Sequence, residues 1–111
     1  MFKKSQRLSR TSFIEYFKIG RRFQDDNFTL VYSPAPLLAV AVVVGKKVHK
    51  QAVDRNTLRR RVYAAVRQSL EVNQITTGIY IVISKPAAKN INRVQIIPAI
   101  TTLLALTNKS R

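Results

Sequence analysis

The sequence contains no cysteine and no tryptophan, one histidine, three glycines and only five acidic residues among 111. The missing cysteines exclude a disulfide scaffold, a thiolate zinc site and a thiol nucleophile, and they fit a reducing compartment. A solitary His49 excludes a paired-imidazole nuclease. The carboxylates do not converge into a metal-dependent one either. Asp25 and Asp26 are adjacent, so in extended chain they point to opposite sides, and Asp54 and Glu71 stand more than four helical turns apart. The glycines, at 20, 45 and 78, form no phosphate-cradling loop. No apolar run exceeds the eight residues from Leu37 to Val44, far short of the ~20 of a membrane-spanning helix. Met1 to Arg10 alternates basic and polar residues without the apolar stretch of a signal peptide. Residues 1–14 are acid-free and carry Arg and Ser, a composition shared with organelle transit peptides, and are taken as part of the mature domain. A helix-turn-helix or RRM aromatic signature is missing as well.

What is present is positive charge over an ample core. Twenty Lys and Arg give a formal net charge of +15, which points to a polyanionic partner. Hydrophobic residues make up 46% of the chain and aromatics 8%, more than a disordered basic tail carries. At this length the expectation is a single domain over residues 1–111 that buries roughly two-thirds of the surface of its unfolded chain.

The pattern along the chain reads as α-β-β-α-β-α, an α+β fold of one sheet with packed helices. Phe13, Ile14, Phe17 and Ile19 predict a short amphipathic helix capped by Thr11 or Ser12 and stopped by Gly20. Phe28, Leu30 and Tyr32 alternate with Thr29 and Val31 as in a half-buried strand, and Pro34 and Pro36 break it. Leu37 to Val44 reads as a central strand covered on both faces. Gln51 to about Val72, free of Gly and Pro, reads as a long helix, and Ile79 to Ser84 as another strand stopped by Pro86. Val94, Ile97, Ile100, Leu103 and Leu104 predict a final helical stripe despite Pro98.

The charge is concentrated. Residues 1–22 hold seven cations (Lys3, Lys4, Arg7, Arg10, Lys18, Arg21, Arg22), and residues 46–67 hold eight (Lys46, Lys47, Lys50, Arg55, Arg59, Arg60, Arg61, Arg67), against Glu15 and Asp54 alone. On the long helix, Leu58, Val62, Ala65, Val66 and Ser69 form the core arc. Asn56, Arg60, Tyr63 and Arg67 form a neighbouring stripe. Guanidinium forks grip phosphates and stack on bases, and a tyrosine ring can do the latter, so the stripe suits RNA or single strands. A merely solvated helix face would mix charge signs for i to i+4 pairing, and a membrane-surface helix needs an exposed apolar face that this core arc cannot spare. Phe13 and Phe17 fit either the core or a cleft for unstacked bases. His49 reads as an ordinary surface residue in a connector.

Lys46-Lys47, followed by Ala52-Val53-Asp54-Arg55-Asn56-Thr57-Leu58-Arg59-Arg60, resembles the bacterial ribonuclease P protein subunit, whose long basic helix opens with an Arg-Asn signature after a strand ending in a Lys pair. The likeness extends over nearly the whole chain, through Arg7-Leu8, Phe13 and Phe17 before Gly20, Phe28, and the late strand with its final helix. It departs at Tyr63, where the family usually continues with a further Arg.

The resemblance implies a two-layer, ribosomal-protein-like fold with a left-handed β-α-β crossover, an exception to the usual hand. It implies a cytoplasmic accessory subunit of a tRNA-maturing endoribonuclease whose catalyst is RNA, so that no residue of the chain is catalytic. Mg²⁺ would be required by the RNA, with no metal site and no firmly bound cofactor in the protein. The implied partners are the catalytic RNA and precursor tRNA, with no membrane and no protein partner required. Lys46, Lys47, Arg55, Asn56, Arg59 and Arg60 would contact the catalytic RNA, with Lys50 added from the second basic block and Tyr63 and Arg67 from the helix stripe. Phe13 and Phe17 would line a cleft for the 5′ leader. A small ribosomal or ribosome-associated protein fits the same size and charge.

Overall fold

The computed structural model describes residues 8–109. Lys3, Lys4 and Arg7 of the first basic block, and with Arg7 half of the Arg7-Leu8 pair, lie outside the described residues.

The first helix, α1, spans Arg10–Ile19 and starts earlier than the sequence suggests. Ser9 is its N-cap, with Oγ accepting the Ser12 N–H at 3.2 Å; Thr11 and Ser12 lie inside the first turn, where their own amides are among those needing a partner. The helix stops at Gly20, whose N–H donates to the Tyr16 carbonyl at 2.9 Å. Gly20 has an ordinary extended backbone (φ −68°, ψ 153°), so conformation does not demand glycine here. Space does: a Cβ would lie 2.4 Å from Val31 Cγ1 and 2.9 Å from the Tyr16 carbonyl oxygen.

A short strand that the sequence pattern does not reveal, β1 (Arg21–Gln24), follows directly and pairs antiparallel with β2 (Phe28–Ser33). Asp25 shapes the turn between them, its Oδ1 accepting the N–H groups of Asn27 (2.8 Å) and Phe28 (2.7 Å). After the proline-containing link come β3 (Leu38–Val43), α2 (Ala52–Val72), β4 (Gly78–Ser84), a 3-10 turn over Pro86–Asn90, and α3 (Arg93–Lys109). The sheet order is β1-β2-β4-β3, with β2 antiparallel and β3 parallel to β4. The apolar β3 is therefore an edge strand, not the central one its composition suggests. The center belongs to β2 and β4, and the described chain enters along the outer edge of β3 through Leu8 N–H to the Val40 carbonyl, at 3.3 Å.

One face of the sheet carries the main core. Phe28, Leu30 and Tyr32 of β2, Val40 and Val42 of β3, and Tyr80 and Val82 of β4 pack against α2 and α3. The core arc expected on α2 is buried in full (Leu58, Val62, Ala65, Val66, Ser69), with Leu70 added. Ser69 Oγ and Thr101 Oγ1 meet at 2.7 Å and link the two helices. On α3 the expected stripe is out of phase at its start. Val94 is 74% exposed and Ile97 39%, whereas Ile96 is buried, because a segment apolar on several sides lets packing against α2 choose the face.

Alternation sends Val31, Ile79 and Ile81 to the opposite face, where α1 lies over them as a partial third layer. No residue of α1 is fully buried. The helix crosses from the β3 edge toward β2, and it covers only one end of this face. Val31 and Ile81 beneath it are fully buried, while Thr29, Ala41, Val43 and Ile83 beyond it are half-exposed.

Candidate nucleic-acid interface

The larger basic surface begins where β3 ends. Gly45 turns the chain, accepting from Val48 N–H at 3.1 Å, and buried Val48 anchors the connector in the core. Lys46, Lys47 and Lys50 are thereby left exposed. Arg55, in the first turn of α2, folds back: its Nη1 donates to the carbonyls of Lys50 (2.7 Å) and His49 (3.2 Å). His49 is half-buried, not the plain surface residue its neighbors suggest, and its carbonyl is one of the two anchors of this loop.

From that loop the track continues along α2. Asn56 Oδ1 accepts from Arg59 Nη1 at 2.6 Å, which presents the two side chains as one unit. One turn on, Arg60, Tyr63 and Arg67 line a surface depression of about 720 Å³ together with Ala64, Gln68 and Glu71. The helix begins at Gln51 without a side-chain cap, so the positive end of its dipole adds to the field of the nearby lysines. The structure thus joins Lys46, Lys47, Lys50, Arg55, Asn56, Arg59, Arg60, Tyr63 and Arg67 into one continuous track. It also divides their roles, since Arg55 spends hydrogen bonds on the connector carbonyls of His49 and Lys50 while Arg60 and Arg67 face outward.

Phe13 and Phe17 stand apart from that track, on the other side of the sheet. Their half-buried rings stack with centroids 5.7 Å apart and planes 24° from parallel. Both lie on α1, beside the strip of Thr29, Ile83, Val43 and Ala41 that the helix leaves open. The register aligns Thr29 with Ile83 and Ile83 with Val43, so the strip runs to the end of the sheet where the connector bearing Lys46 and Lys47 begins. A strand lying on this face would pass from aromatic rings to ammonium groups.

Sequence reasoning missed a neighbor of the rings. The sequence shows Arg22 only as charge, yet its guanidinium carbon lies 4.5 Å from the Phe17 ring centroid. Its place follows from β1 pairing with β2, for which the sequence offers no local signal. Among the described residues no group of three or more His, Asp or Glu side chains could hold a metal ion, and no helix is long and apolar enough to cross a membrane.

A family model described as Ribonuclease P matches residues 2–107. The ribonuclease P protein component of Picosynechococcus sp. (strain ATCC 27264 / PCC 7002 / PR-6) is 36% identical over 67 residues, 59% of this chain and 56% of that protein, so the match spans little more than half of that relative's length. Among solved structures, the Staphylococcus aureus RNase P protein superposes with a TM-score of 0.76 at 23% identity, covering 94% of this chain and 96% of that one. The RNase P protein from Thermotoga maritima superposes with a TM-score of 0.72 at 22% identity, covering 88% and 94%. At these identities the structures speak for the fold.

Proposed function

The chain belongs to the ribonuclease P protein family, and on that premise we propose that it is the accessory subunit that binds the catalytic RNA through the connector and α2 and holds the 5′ leader of precursor tRNA against α1 and the open sheet face. The observation that carries this reading is the division of the surface. The basic track and the open sheet strip beside the Phe13 and Phe17 rings of α1 lie on different faces of the sheet and meet at Lys46 and Lys47.

The chemistry follows from charge and shape. Bringing a tRNA against a large RNA sets phosphates against phosphates, and the cations at 46, 47, 50, 59, 60 and 67 relieve that repulsion by displacing counterions. Arg59, held by Asn56, and Arg60 present forks suited to phosphate oxygens. On the other face, unpaired leader bases stack beside Phe13 and Phe17 without sequence readout, because every base has a π-face. Mature tRNA lacks the leader and forgoes these contacts, so the protein favors substrate over product.

Magnesium ions held by the RNA supply the charge stabilisation for phosphodiester hydrolysis. The described residues offer them no carboxylate cluster, so the protein's part is to bind, to orient and to neutralise. The setting is the cytoplasm, and no further protein is needed. The family membership decides against the ribosomal alternative that composition alone leaves open.

The reading is tested by measuring the affinity of the reconstituted holoenzyme for precursor and mature tRNA with wild-type and Phe17→Ala protein. Loss of the preference for precursor, with RNA-subunit binding intact, is expected. Equal losses in both affinities would make Phe17 a packing residue and contradict the leader assignment.

A further inference from the structure

The register of β1 places Arg22 opposite Val31, hence on the α1 side of the sheet, and the residue is exposed. Its side chain turns toward the end of α1. Nη2 donates to the Phe17 carbonyl at 3.0 Å, and the guanidinium carbon lies 4.5 Å from the Phe17 ring centroid. That carbonyl is among the last of α1, which have no partner within the helix. A cation at this end also meets the negative pole of the helix dipole. One turn earlier, Phe13 stacks on the same ring at 5.7 Å. Phe13, Phe17 and Arg22 therefore form a column. Phe17, its middle member, is met by Phe13 from the preceding turn and by Arg22 from beyond the helix end.

A base entering the cleft thus finds Phe17 already engaged, and the column receives it at an end. We propose that Arg22 is a binding residue for the leader, with an unpaired base stacking on the guanidinium face turned away from Phe17 and a neighboring phosphate accepting from its N–H groups. The inference rests on the reading that the α1 face holds the leader and names the residue that does part of that work. A guanidinium suits both tasks. It is planar, it stacks on aromatic rings, and it has five N–H donors, of which one goes to the Phe17 carbonyl. Glu15, the acid of α1, lies two residues before Phe17, about 200° round the helix, and so projects away from the column. Anchoring to the Phe17 carbonyl also orders the guanidinium before the ligand arrives, which lowers the entropy lost on binding.

The experiment uses reconstituted holoenzyme and precursor tRNAs with single abasic nucleotides stepped through the leader, with wild-type, Arg22→Ala, Arg22→Lys and Phe13→Ala protein. Lysine keeps a charge and a donor for the Phe17 carbonyl but lacks the plane, so it maintains the helix end while removing the plate. With wild type, an abasic nucleotide at the plate position is expected to weaken binding about tenfold. With Arg22→Lys and Arg22→Ala the intact leader should bind about tenfold more weakly, and that abasic site should cost less than about twofold more. If abasic costs are the same in Arg22→Lys as in wild type at every position, Arg22 is only a helix cap and the proposal falls, while an affinity loss in Phe13→Ala would leave the leader reading standing. If no abasic site and no Phe13→Ala change matters, the leader reading itself fails and the role of Arg22 fails with it.

Discussion

Arg55 and Lys50 are joined by a 2.7 Å hydrogen bond from the Arg55 guanidinium to the Lys50 carbonyl, so the arginine that opens the basic helix holds the loop that presents the lysines. Charge-assisted bonds to backbone carbonyls are worth more than neutral ones, and partial exposure brings this one to about 1 kcal/mol. Arg55→Ala should destabilise the free protein by about that amount in urea unfolding. The same experiment on Arg60→Ala, whose side chain is exposed, should show no change. An unaltered unfolding midpoint for Arg55→Ala would reduce Arg55 to a simple RNA contact.

Arg60 reads out differently. Each phosphate contact contributes about one unit to the slope of log affinity against log salt. Arg60→Ala should therefore weaken binding to the catalytic RNA and flatten that slope by about 1, measured by titration at several salt concentrations. A weaker complex with an unchanged slope would remove Arg60 from the phosphate contacts.

Gly20 is required for space. A methyl group there meets Val31 Cγ1 and the Tyr16 carbonyl oxygen at 2.4 and 2.9 Å, and the carbonyl is backbone that cannot swing aside. Gly20→Ala should cost about 1–3 kcal/mol or lift α1 from the sheet, seen as faster amide exchange in residues 10–19. A variant with wild-type stability and exchange would contradict the close approach.

Ser84 offers the opposite case. Its Oγ is buried and has no hydrogen-bond partner among the described residues. Ser84→Ala removes that unpaired hydroxyl and should leave the protein as stable or more stable, by up to about 1 kcal/mol. Marked destabilisation would reveal a partner for the hydroxyl.

How much of this was legible in the sequence depended on whether the signal was local. The α2 core arc was readable because Leu58, Val62, Ala65, Val66 and Ser69 repeat at helical spacing within a single gly- and pro-free segment. β1 was not, since Arg21-Arg22-Phe23-Gln24 has no apolar alternation and becomes a strand only by pairing with β2. An eight-residue apolar run suggested a central β3, yet an edge strand is equally apolar when one face lies on the core. The α3 phase failed for a similar reason, because its apolar residues populate several stripes and α2 selects among them. Of the candidate site, the basic track was visible as composition and motif. The backbone bonds of Arg55 and the placement of Arg22 over Phe17 were not, because each depends on where a loop or a paired strand carries the chain.

A protein that grips both the RNA catalyst and the leader should make the catalyst work at low, near-physiological magnesium, and precursor tRNA cleavage under those conditions, with the RNA alone and with the RNA plus this protein, measures it. Release of the 5′ leader is expected from the pair under conditions where the RNA alone is nearly inactive, with none from the protein alone. Equal cleavage with and without the protein would contradict it.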